Sequence, residues 1–140
     1  MEQKNIGWLM PRLTQALRLS TETELRPLHI TKAQYVVLSA VEQTPSASNA
    51  DLARACYVTP QTMIEIIQSL QTAGYITRRA DPKHGRIIQT MLTSSGREKL
   101  VAALKVAEKT EDQMLAGLNA EEHEKLASLL QRCKDNLEAR

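Results

Sequence analysis

The feature that most constrains this chain is a change of hydrophobic period at Gly74. Before that glycine the apolar residues recur at helical spacing; after it they gather in two short runs rich in β-formers. The helix leading to the change is well marked. Thr59 suits an N-cap and Pro60 the first helical position, and Met63, Ile66, Ile67 and Leu70 follow at i, i+3, i+4 and i+7. The opposite face reads Gln61, Glu65, Gln68 and Thr72, which are hydrogen bonders and not a lysine-rich solvated face. The two runs, Tyr75 to Ala80 and Ile87 to Leu92, flank the loop Asp81–Pro82–Lys83–His84–Gly85–Arg86. They predict a hairpin of two short strands with a long basic tip.

The rest of the chain has helical periodicity. From Trp8 to Leu25 the stripe is Leu9, Leu13, Ala16 and Leu17, with Pro11 expected in the first turn and Pro27 closing the segment. Thr31 caps a second helix with Tyr35, Leu38 and Val41 on its apolar side. Thr44 to Ser48 is a loop. Ser48 starts a short third helix, with Asp51 completing a capping signal, and that helix ends near Ala55 or Cys56. After the hairpin Thr93 caps a long helix whose expected buried side is Leu100, Leu104, Ala107, Met114 and Leu118. Asn119 caps the last, with Leu126, Leu129, Leu130, Cys133 and Leu137 in line. Two short helices joined by a tight turn and followed by a hairpin make a winged helix-turn-helix in a mainly α (α+β) fold. The outer stripes, Leu9, Leu13 and Leu17 at one end and Leu126, Leu129, Leu130, Cys133 and Leu137 at the other, exceed what the central module can cover. They predict a homodimer.

In a helix-turn-helix the second helix enters the major groove N-terminal end first, and paired hydrogen bonders read the base edges there. Gln61, Thr62 and Glu65 suit base contacts; Ser48, Asn49, Arg54, Thr59 and the Pro60 start suit the phosphates beside them. Taken alone, Thr59, Gln61 and Thr62 are equally good capping and surface residues. The hairpin shifts the balance. Between Arg78 and Arg97 five basic residues (Arg78, Arg79, Lys83, Arg86 and Arg97) stand against Asp81, a net +4 where the whole chain carries +2. A tip with Lys83, His84 and Arg86 can straddle a phosphate backbone and place an arginine in a minor groove. Arg78 and Arg79 point to opposite faces of a strand, so only one meets DNA directly. At 3% aromatics the chain lacks the platforms that stack single strands.

Other classes fare worse. The histidines His29, His84 and His123 are scattered, and no nucleophile, metal set or phosphate loop appears, so neither catalysis nor a metal or other cofactor is expected. Two cysteines are too few for a disulfide framework. Cys56 suits a small core hydrophobe and Cys133 the last apolar stripe; an oxidant-sensing regulator using either is the alternative. A helical interaction module without DNA is a third, disfavoured by the basic hairpin. The longest apolar run, Tyr35 to Leu38, falls far short of a membrane span, and no leader is evident, so a cytoplasmic protein is expected.

Several segments carry a resemblance: Ser48–Met63 (SNADLARACYVTPQTM), Gly74–Arg79 (GYITRR), Asp81–Arg86 (DPKHGR) and Leu92–Arg97 (LTSSGR). Together they resemble the MarR family of multiple-antibiotic-resistance-type regulators. The resemblance implies a homodimer with interlocked terminal helices, one winged helix-turn-helix per subunit and a palindromic duplex operator. It also implies repression relieved by a small effector, aromatic or phenolic in kind, or by an oxidant. The division it suggests is a single domain over 1–140, with a DNA-binding region at 31–93 and dimerisation helices at 5–27 and 94–140. By position Arg86 is the wing-tip arginine. His84 departs from the pattern: that position is more often an aspartate that orients the wing arginine, and a histidine cannot offer a carboxylate. A cleft between the first helix, the wing module and the fifth helix is the expected effector site, with Trp8 either lining it or packed in the dimer.

Overall fold

Asn5 caps the first helix, its side chain accepting the Gly7 N–H at 2.8 Å. The computed structural model describes residues 5–86 and 88–139. Helix α1 (Ile6–Leu25) therefore begins before Trp8, and Pro11 sits in its second turn and not its first. The ring removes one helical N–H there. Next to it the Arg12 guanidinium donates to the Trp8 carbonyl at 2.9 Å and stacks on the Trp8 ring. A 3-10 turn (Arg26–Leu28) follows, closed by His29 in the left-handed region.

Capping boxes then start two helices in succession. Thr31 and Gln34 open α2 (Lys32–Gln43), and Ser48 and Asp51 open α3 (Asn49–Ala55). Helix α4 (Pro60–Thr72) starts on Thr59 and Pro60 as its sequence predicts. Gly74, at φ 79°, turns the chain into β1 (Ile76–Ala80), which pairs antiparallel with β2 (Ile88–Leu92). Tyr75 stays outside the strand, and Ile87 lies outside the described residues. The register sets Ile76 opposite Leu92, Arg78 opposite Thr90 and Ala80 opposite Ile88. Helices α5 (Ser94–Met114) and α6 (Ala120–Glu138) complete the chain.

One core joins these elements. Leu25 of α1, Val37, Leu38 and Val41 of α2, Leu52 of α3, and Met63, Ile67 and Leu70 of α4 meet Ile76, Leu92 and Leu100. The wing is rooted in it through the Ile76–Leu92 pair. Two stripes differ from the sequence pattern. In α1 only Thr21 and Leu25 are buried, while Leu9 and Leu13 stay exposed and Leu17 half-buried. In α5 the buried face is Gly96, Leu100, Ala103 and Thr110; Leu104 is exposed, Ala107 and Met114 are only half-buried, and Leu118 lies past the end of the helix, exposed. At the start of that face Gly96 lies against the Tyr75 backbone, where a Cβ would stand 2.0 Å from the carbonyl oxygen. Every residue of α6 is exposed, including Leu126, Leu129, Leu130, Cys133 and Leu137.

Candidate nucleic-acid interface

The amphipathic pattern of α4 decides what its outer face offers. Met63, Ile67 and Leu70 are drawn into the core, which leaves Gln61, Thr62, Glu65, Gln68 and Thr72 exposed. At the N-terminal end the Thr59 hydroxyl accepts the Thr62 N–H at 3.1 Å and lies 3.0 Å from the Thr62 hydroxyl. Gln61 has no side-chain partner among the described residues and is free to bond outward. The first turn of α4 thus presents the free Gln61 N–H, a positive dipole end and the uncommitted Gln61 side chain.

Helix α3 carries its own polar start. The Ser48 hydroxyl accepts the Asp51 N–H at 3.1 Å, and Asp51 in return accepts the Ser48 N–H. Hydrogen bonds from Ser48, and beside them the Arg54 guanidinium, hold the Asp51 carboxyl below the usual carboxylate range. Arg54 is paired with that carboxylate inside α3, so its charge is partly engaged.

In the wing the two neighbouring arginines part, as strand alternation requires. Arg79 is exposed on the outer face. Arg78 is half-buried on the inner one, where it donates to Asn49 at 3.1 Å and Thr90 at 3.3 Å. The tip is braced by Asp81, which counted in the sequence only as a lone acid. Its carboxylate accepts the Lys83 N–H at 2.8 Å and the Gln89 side-chain amide at 3.2 Å. The signal was present in the sequence: an Asp two residues before its N–H partner forms a local turn. Lys83, His84 and Arg86 are exposed, and among the described residues no carboxylate pairs with them.

A cavity of about 260 Å³ opens on the other side of α4. Val36, Val37, Val58 and Ile66 make its apolar walls, and Lys32 and the Arg18–Glu22 ion pair stand at its mouth. It lies between α1, α2 and α4, and Trp8 is not among its lining residues. Cys56 also lines it. Burial pushes the Cys56 thiol up, which favours the protonated form and works against a sensor that needs thiolate. Cys133 is exposed on α6.

Comparison with known proteins agrees with this geometry. The model of the MarR family matches residues 30–87. The HTH-type transcriptional repressor Rv2887 of Mycobacterium tuberculosis is 32% identical over 127 residues, covering 91% of this chain and 91% of its own. The chain belongs to the MarR family. Two solved structures of the mycobacterial MarR-family protein superpose on it closely. The complex with salicylic acid gives a TM-score of 0.78 at 32% identity, over 92% of this chain and 96% of that one. The complex with DNA gives 0.77 at 29% identity, over 92% and 97%. The winged helix-turn-helix expected from the order of elements is therefore the fold observed, and the chain is a transcriptional regulator. In this chain Asp81 braces the described tip, and His84 is exposed beside it.

Proposed function

We propose that this MarR-family regulator binds duplex DNA as a homodimer, with α4 in the major groove and the wing along the adjoining backbone and minor groove. The observation that carries this reading is a juxtaposition. The free N-terminal turn of α4 (Thr59 to Glu65) and a wing tip whose cations lack carboxylate partners are both exposed and share one rigid core. Gln61, Thr62 and Glu65 address base edges. Ser48, Thr59 and Pro60 lie against phosphates, with Arg79, Lys83, His84 and Arg86 as the wing grip. Leu9, Leu13, Leu17, Leu126, Leu129, Leu130, Cys133 and Leu137 form the dimer seam. A binding-site selection with the purified protein tests this directly. It is expected to yield a palindrome with half-sites about one helical turn apart; a pool with no enriched sequence refutes it.

We further infer that the cavity between α1, α2 and α4 takes a single-ring aromatic acid and that its occupancy releases DNA. Salicylic acid is the molecule bound in the related mycobacterial structure. Here the walls are apolar, the volume lies just under the ~300–1,000 Å³ of drug-sized sites, and Lys32 at the mouth suits a carboxylate. Salicylate titration with and without Lys32→Ala checks it. A loss of about fivefold in affinity is expected, the worth of one partly exposed ion pair. Unchanged affinity places the acid elsewhere.

A further inference from the structure

Arg78 is the one basic residue of the wing that turns away from solvent. Its guanidinium offers two donors to two different elements. Nε donates to Thr90 Oγ1 on β2 at 3.3 Å, and Nη2 donates to Asn49 Oδ1 on α3 at 3.1 Å. Thr90 is 2% exposed, so its hydroxyl needs a partner inside the protein, and Arg78 is that partner. No carboxylate stands within ion-pair distance of Arg78 among the described residues. The group is therefore held by geometry: a planar fork whose donors meet two neutral oxygens. A lysine has no such fork.

We propose that Arg78 is a positioning residue that ties the wing to α3, so that the wing tip and α4 meet DNA at a fixed angle. This rests on the DNA-binding reading above but assigns Arg78 and Asn49 a different part in it. They set the relative placement of the two contact elements and add no phosphate contact of their own. Strand alternation alone leaves open which of Arg78 and Arg79 turns inward. Asn49 and Thr90 decide it, because only the inner face of β1 meets α3.

The experiment compares Arg78→Lys, Arg78→Ala, Asn49→Ala and Arg86→Ala with the wild type. One readout is affinity and its salt dependence on a 30-base-pair duplex that the wild type recovers from a random pool. The other is amide exchange across the β1–β2 pairing. Arg78→Lys is expected to weaken binding about tenfold, as much as Arg78→Ala, with the log–log salt slope unchanged. Arg86→Ala is expected to lower that slope by about 0.9, the signature of a lost phosphate contact. Asn49→Ala matches Arg78→Lys, and the double variant is no weaker than either single one. Wing amides exchange faster in both. If Arg78→Lys binds like the wild type while Arg78→Ala loses about 0.9 in slope, Arg78 is a phosphate ligand and the proposal fails. Independent, multiplicative losses from Asn49 and Arg78, or unchanged wing exchange, also overturn it. Asn49→Ala keeps the test intact should the Arg78 variants not fold. Should the wild type recover no duplex, the DNA reading fails, and wing exchange alone then decides the tie.

Discussion

Tyr57 occupies a backbone conformation that suits glycine. Its φ is 56°, in the turn between α3 and α4, and its ring is 87% exposed, so little packing offsets the strain. Tyr57→Gly is expected to stabilise the fold by about 1 kcal/mol, a rise of about 4 °C in a thermal melt. An unchanged or lower melting point would show that the ring contributes more than its exposure suggests. Gly96 is the reverse case. A Cβ at this buried position meets the Tyr75 backbone, which cannot rotate aside, so Gly96→Ala is expected to cost about 3 kcal/mol in a denaturant titration. The sequence LTSSGR carried Gly96 as part of a resemblance; its reason was illegible there because Tyr75, its neighbour, lies across the wing. The same holds for Arg78: a period of two separates it from Arg79, but only Asn49 says which turns inward.

At the scale of elements, what was legible was local chemistry. Thr31, Ser48, Thr59, Thr93 and Asn119 all cap the helices that follow them, because a cap depends on residues within one turn of itself. The rotation of α5 was not legible. Its apolar residues cover more than one face, and the stripe that includes Leu104 is left exposed while Leu100 and Ala103 are buried. One such cap makes a pH prediction. The Ser48 hydrogen bonds lower the folded pKa of Asp51 below its unfolded value. Its contribution is therefore present above the unfolded pKa, near 4, and is lost as the pH falls through the folded value. Urea denaturation should find Asp51→Asn less stable than the wild type at pH 7, with the gap closing in acid as the Asp51 carboxyl takes up its proton. A gap of equal size at pH 7 and in acid means the charge does not matter there.

For the whole molecule, placement matters more than totals. A net charge of +2 conceals the +4 between Arg78 and Arg97, and an ordinary apolar content conceals one helix, α6, that buries nothing in its own chain. Leu129 and Leu130 are 44% and 47% exposed, and Leu13 on α1 is 51% exposed. A seam built on these side chains leads to a linked prediction. Since α6 packs nothing within the chain, Leu129→Asp with Leu130→Asp should leave the circular dichroism of the central module in place while sedimentation changes from dimer to monomer. A monomer reaches one half-site and about half the phosphates. Its affinity for a selected palindrome should fall at least about a hundredfold, since the second half-site no longer binds intramolecularly. Its log–log salt slope should fall to about half that of the wild type, because the slope counts phosphate contacts. The two readouts separate the explanations. Lost affinity with an unchanged slope points to damage in the winged module, whereas a dimeric mass in the double variant moves the seam away from α6 altogether.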